Sequence, residues 1–243
     1  MNRMTDAIKH LIIINVVVFV ATFVLKMGFT DSLALYFPEN ENFGFWQFLT
    51  HMFVHGGVMH IVFNMYALWA FGSPLEQMWG RNKFLFFYFS AGLGAGLIYT
   101  AVNYFQFNGV YEQLINIGLS GTEIQQILDT GTYSEHILSS ITREQLSEFY
   151  ATYHTPAVGA SGAVYGVLVA FGMMYPNAKL ALIFFPVPIA AKYFIPVMIL
   201  GDLFFGMTKY SVGNVAHFAH IGGAIIGFII AYFWKKNQFK RWN

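Results

Sequence analysis

The chain has 243 residues, of which 56% are apolar, 19% aromatic and only 10% charged, with a formal net charge of +1. So high an apolar share with so few charges excludes an ordinary water-soluble domain, and a balance so near neutrality argues against a nucleic-acid partner. The absence of cysteine excludes a disulfide framework, a thiolate metal site and a cysteine nucleophile.

Six apolar stretches follow one another along the chain, at about Leu11 to Leu25, Val58 to Phe71, Phe84 to Tyr104, Ala157 to Tyr175, Ile189 to Phe205 and Val215 to Trp234. Each is read as a membrane span, and the shorter ones must extend into their flanks to cross roughly 30 Å of hydrocarbon. The first follows Arg3 and Lys9 but precedes no clear small-residue cleavage site, so it reads as an uncleaved span. Pro186 and Pro188 disfavour a helix just before Ile189, which makes Leu180 to Val187 an extended interfacial segment.

With the N-terminus cytoplasmic, the internal segments hold Arg3, Lys9, Arg81, Lys83, Lys179, Lys192, Lys235, Lys236, Lys240 and Arg241, and the external ones hold Lys26, Arg143 and Lys209. Ten against three is a strong positive-inside bias, which predicts cytoplasmic N- and C-termini; the expected location is a plasma (inner) membrane. The Lys235 to Arg241 cluster is a cytoplasmic anchor facing anionic lipid.

Residues 106–154 form the one long polar stretch, with six acidic residues and one arginine, and fall on the external side. Ser120 with Glu123, Thr132 with Glu135 and Thr142 with Gln145 each have capping-box spacing, which predicts three short helices. Beyond the last, Leu146, Phe149, Tyr150 and Tyr153 recur at helical spacing and give that helix a docking face. No internal repeat or linker divides the chain. The expectation is a single domain over 1–243: an all-α membrane protein, a six-transmembrane helical bundle with a helical external insertion between the third and fourth spans.

Chemistry enters with Ser161, in the run Gly159-Ala160-Ser161-Gly162 at the head of the fourth span, and His220, in Ala219-His220-Ile221-Gly222-Gly223 on the sixth. A serine and a histidine are a potential nucleophile and base, set where a bilayer tolerates few polar groups. The second, fourth and sixth spans all run inward, so His60, Ser161 and His220 share one shallow level, on the order of 10 Å below the external surface. Asn64 lies four residues after His60 on the same helix face. Gly162, Gly166 and Ala170 make one small-residue stripe and Ala219, Gly223 and Gly227 another. Facing each other, they let the fourth and sixth helices approach until hydroxyl and imidazole are within reach.

At these residues the chain resembles the rhomboid intramembrane serine proteases. The resemblance runs from about Trp46 to Tyr232 and rests on the Gly159 to Gly162 run, His60-x-x-x-Asn64, Ala219-His220-x-x-Gly223, and the connection Gly72-Ser73-Pro74-Leu75-Glu76 to Gly80-Arg81. It implies a Ser161/His220 dyad without a third acid, an oxyanion hole using His60 and Asn64, and hydrolysis of peptide bonds in or near transmembrane segments. Its implied partners are single-span or polytopic membrane protein substrates within the lipid bilayer. No cofactor and no metal are expected, and the pattern says nothing of oligomeric state or of the 106–154 insertion.

Other residues receive plainer readings. His51 and His55 are structural or solvated groups of the external loop. His217, one turn before His220, is the rival base but reads as a rim residue. Gly159 and Tyr165 are assigned with His60 and Asn64 to the oxyanion and substrate-binding residues, Tyr165 as an aromatic that packs against His220 or simply fills the core. Asp202, near the external end of the fifth span, is a candidate to orient a histidine, but is read as an interfacial acid held by water or backbone. Gly92-x-Gly94-x-Gly96 lies inside an apolar helix and reads as packing, not as a nucleotide loop. The lack of His-Glu-x-x-His disfavours a zinc protease. The leading function is an intramembrane serine endopeptidase. The alternatives are a catalytically silent relative that binds membrane clients, which the intact Ser161, His60, His220 and Asn64 weigh against, and a haem protein, in which serine and asparagine would have no role.

Overall fold

The computed structural model describes residues 4–182, 185–208 and 216–240. Within them lie α1 (Asp6–Phe19, continued by a π turn, Val20–Val24), α2 (Thr30–Leu33), α3 (Gln47–Thr50), α4 (Val58–Ala67, with a π turn, Leu68–Gly72), α5 (Ser73–Trp79), α6 (Arg81–Asn116), α7 (Gly121–Thr130), α8 (Arg143–His154), α9 (Ser161–Met174), the strands β1 (Lys179–Leu182) and β2 (Phe185–Ala190), α10 (Ala191–Met207) and α11 (His217–Lys240). Among the described residues, Asp6–Val24, Val58–Trp79, Arg81–Asn116 and His217–Asn237 are long and apolar enough to cross a bilayer. The other two expected spans are shorter, α9 with 14 residues and α10 with 17, or about 21 and 25 Å of helix.

Helix α9 is short because it is the axis of the bundle and faces protein. Gly162, Ala163, Val164 and the whole run from Gly166 to Phe171 are buried, and α6 and α11 pack against it and against each other. The outward side chains of the surrounding helices are apolar and exposed, among them Val17, Phe63, Leu97, Leu200 and Phe228, as a lipid-facing surface requires.

The two ends of the bundle differ in chemistry. At one end Glu76 caps α1 from a distant part of the chain: it accepts from Thr5 Oγ1 and from the backbone N–H groups of Ala7 (2.9 Å) and Ile8 (3.1 Å). A buried carboxylate at a helix N-terminus satisfies orphan donors and matches the dipole. Near it Trp79 packs edge-on against Trp234, and Lys235 Nζ donates to the last turn of α9 at Met173 O (2.8 Å). Lys9, Arg81, Lys83, Lys179, Lys192, Lys235 and Lys236 belong to this basic end; Arg3, Lys209 and Arg241 lie outside the described residues.

The acidic insertion belongs to the other end. Helix α6 runs 36 residues, about 54 Å, well beyond a bilayer core, and its last turns carry Phe107 and Leu114 into a second core with Ile124, Leu128, Leu146 and Phe149. Phe107 stacks on Phe149 with centroids 4.2 Å apart, so the predicted α8 face does dock. The capping boxes of Ser120 with Glu123 and of Thr142 with Gln145 both form. The third does not: Gly131 ends α7 in the left-handed conformation, the Thr132 hydroxyl pairs with Thr130 (2.6 Å), and the following 3-10 turn starts after Ser134 without a side-chain cap.

Of the expected extended segment Leu180 to Val187, Ile183 and Phe184 lie outside the described residues; the rest is extended, and more ordered than the sequence indicates. β1 and β2 form an antiparallel hairpin, pairing Lys179 with Ala190 and Leu180 with Ile189. Each strand of a two-stranded sheet is an edge, which is where proline is tolerated. Gly92 and Gly94 pack as expected, since a Cβ would lie 2.2 Å from Met52 Cε and 2.4 Å from Ile226 Cγ1 respectively.

Candidate active site

Three helices start at one level and each delivers a polar side chain in its first turn: His60 on α4, Ser161 on α9 and His220 on α11. The segment before Ser161 is fixed by an extended pairing of Leu35 with Ala157 and by the Gly159 N–H donating to His51 O (2.9 Å). Gly159 has φ +122°, in the region that favours glycine, and a Cβ there would lie 2.7 Å from His60 Nε2. Glycine is thus needed both for the turn into α9 and for the closeness of His60. As the first residue of α9, Ser161 stands among backbone N–H groups that have no intrahelical acceptor.

The small-residue stripes meet as expected. A Cβ on Gly223 would fall 1.8 Å from Gly162 O, and one on Gly166 would fall 2.9 Å from Gly223 O. This backbone-to-backbone seam holds His220 Nε2 2.9 Å from Ser161 Oγ. Tyr165 lies parallel to the His220 ring, with centroids 4.2 Å apart and planes inclined by 10°.

Behind the imidazole stands an acid. His220 Nδ1 is 3.2 Å from Asp202 Oδ1, His217 Nδ1 is 2.6 Å from the same oxygen, and the Tyr165 hydroxyl donates to Asp202 Oδ2. A carboxylate only accepts, so each ring nitrogen facing it carries the proton. His220 therefore presents the lone pair of Nε2 to the Ser161 hydroxyl.

A family model for the Rhomboid domain matches residues 42–124 and 115–237. The chain belongs to the rhomboid family. It is 26% identical to "Rhomboid protein 1, mitochondrial" of Saccharomyces cerevisiae over 76% of this chain and 40% of that protein. It is 28% identical to "Rhomboid protease GluP" of Bacillus subtilis, over 76% of this chain and 25% of that one. With the human "Presenilin-associated rhomboid-like protein, mitochondrial" it shares 29% over 74% of this chain and 35% of the relative. The chain thus spans less than half the length of each of these rhomboid relatives.

Around this rhomboid site the remaining expectations divide. Asn64 is buried, and its Nδ2 donates to His60 O one turn earlier (3.0 Å), so it supports the His60 backbone. His217 is not a rim residue: its side chain is 11% exposed and is held by Asp202. Asp202, expected to be held by water or backbone, is held among the described residues by three side chains on α9 and α11. His51 is structural, with Nδ1 donating to Gln47 O (2.8 Å), and burial lowers its pKa. His55 is 2% exposed and edge-on to His60 at 5.0 Å. Burial, with the neighbouring His60 adding to it, lowers its pKa to about 4.

A small cavity, with room for about one water molecule, adjoins Ser161 and is lined by His51, Met52, Gly96, Tyr99 and Gly159. The ligating atoms of Asp202, His217 and His220 lie within 4.8 Å of one another, the spacing of a metal donor set, and their mutual hydrogen bonds account for the cluster. Sequence reasoning offered Asp202 as a residue to orient a histidine but set that reading below an interfacial one, although an ionisable side chain in an apolar helix is itself a functional signal.

Proposed function

We propose that this rhomboid is an intramembrane serine endopeptidase in which Ser161 is the nucleophile and His220 the general base. The observation that carries this reading is the 2.9 Å contact of His220 Nε2 with Ser161 Oγ across a glycine seam. As the hydroxyl attacks a peptide carbonyl, the Oγ–C bond forms, the proton passes to Nε2, and the carbonyl π pair moves onto oxygen. The free N–H groups at the start of α9 and the half-buried His60 ring are donors suited to that oxyanion. Collapse breaks the C–N bond, the leaving amine takes the proton from Nε2, and a water repeats the sequence on the acyl-enzyme.

The site lies at the end opposite the basic cluster, and the positive-inside bias supports reading it as extracytoplasmic with both termini cytoplasmic. A substrate helix presents a peptide bond there only after its own hydrogen bonds open, and its lateral route runs past α10, which is short and interrupted by Pro196. Membrane proteins with helix-weakening residues in the outer part of a span are the substrates this favours. The test is to incubate the purified protein and its Ser161→Ala variant with labelled single-span proteins and determine the cut ends by mass spectrometry. Cuts near the outer end of the span, absent with Ser161→Ala, support the reading; cuts that persist with Ser161→Ala overturn it.

A further inference from the structure

The fifth-span helix α10 contributes nothing to a Ser/His dyad, yet it carries a buried acid into contact with the base. Asp202 is 7% exposed. Its Oδ1 takes both His217 Nδ1 and His220 Nδ1, and its Oδ2 takes the Tyr165 hydroxyl. Placing a carboxylate in an apolar bundle is costly unless its lone pairs are filled, and here they are filled by the residue that stacks on His220, by His220 itself and by the histidine one turn before it.

We propose that Asp202 is a positioning residue that completes a Ser161–His220–Asp202 relay, with Tyr165 and His217 holding the carboxylate in place. This rests on the protease reading above. A neutral imidazole has one N–H, and which nitrogen carries it decides whether His220 is a base or a donor toward Ser161. Asp202 fixes the proton on Nδ1, and Nε2 is left with the lone pair that the serine proton needs. When that proton arrives the ring becomes an imidazolium, its charge lies against the carboxylate, and Asp202 stays unprotonated throughout. Tyr165 acts on both partners, through its ring against His220 and its hydroxyl on Asp202. Nucleophile, base and acid come from α9, α11 and α10, so the relay is complete only while α10 is docked.

Asp202→Asn tests this. The amide keeps an oxygen for Tyr165 or His217 but can offer an N–H to His220 Nδ1, which moves the ring proton to Nε2. The expected result is a fall in kcat of about 10²–10⁴-fold with KM little changed, and His217→Ala should lower kcat by less. A second measurement does not depend on that variant folding: ¹⁵N NMR of the His220 ring in the unsubstituted protein, assigned by its loss in His220→Ala, should show the proton on Nδ1. An unchanged kcat in Asp202→Asn, or a His220 proton on Nε2 in the unsubstituted protein, overturns the proposal. Ser161→Ala, measured alongside, separates the two levels. If it is inactive while Asp202→Asn is fully active, the relay fails and the dyad stands; if it still cleaves, the protease reading itself fails.

Discussion

Replacing Gly223 by alanine adds one methyl group at the tightest point of the α9–α11 seam, one turn beyond His220. The new Cβ would sit 1.8 Å from Gly162 O and 2.6 Å from Gly162 C, and below 3.0 Å something must move. Both neighbours are backbone, so no rotamer change relieves the clash and the helices must part locally by more than about 1 Å. Carried to the site, that movement opens the 2.9 Å contact between His220 Nε2 and Ser161 Oγ toward roughly 4 Å, beyond direct hydrogen bonding. A misplacement on the order of 1 Å lowers turnover by about 10²-fold, and overpacking costs about 1–3 kcal/mol of stability. The assay is kcat/KM on a cleaved membrane substrate together with thermal unfolding in the same detergent. Gly109→Ala is the control, because a Cβ at Gly109 of α6 meets nothing within 4 Å. Full activity and stability in Gly223→Ala would refute the claim that backbone contact at this seam sets the serine–histidine distance.

Three further outcomes are expected. Substituting His60 by alanine should lower kcat more than it raises KM, because hydrogen bonds to an oxyanion strengthen in the transition state; Asn64→Ala should do the same through loss of support for His60, and lowered stability with intact kcat would assign both to packing. Acidification should destabilise the fold through His55: its pKa is about 4 against an ordinary 6.5, so the stability gained from the neutral ring is present above pH 6.5 and is lost as pH falls toward 4, by on the order of 3 kcal/mol. Unfolding midpoints between pH 7 and 4.5 check this, and a His55→Gln variant with the same acid sensitivity as the parent would contradict it. Replacing Gly and Pro in the outer half of a cleaved substrate span with Leu should lower kcat/KM, and undiminished cleavage would remove the requirement for local unwinding.

Several features were legible because they rest on local pattern. Ser161 and His220 stand out as polar residues beside small-residue stripes, and the stripes themselves specify which two helices touch. The two capping boxes that form, at Ser120 and Thr142, need only four consecutive residues. The features that were not legible depend on partners far apart in the chain. Glu76 caps α1 from about seventy positions away, which no window of sequence reveals. Asp202 was legible as a candidate to orient a histidine but its partners were not, because Tyr165 precedes it by 37 residues and His220 follows it by 18, so only folding brings the three together. The hairpin of β1 with β2 was hidden because prolines signal extension without saying what the extended chain pairs with. The short α9 follows from its central position, a tertiary fact that hydropathy alone does not encode.

The central claim is that Ser161 is a nucleophile activated by His220. Treating the purified protein in detergent with a serine-reactive fluorophosphonate and sequencing the labelled peptide by mass spectrometry tests it most directly. The account predicts a single adduct on the Ser161 hydroxyl, absent in Ser161→Ala and strongly reduced in His220→Ala, with both variants unfolding near the parent temperature. An adduct on another residue, or labelling of Ser161 that does not depend on His220, would contradict it.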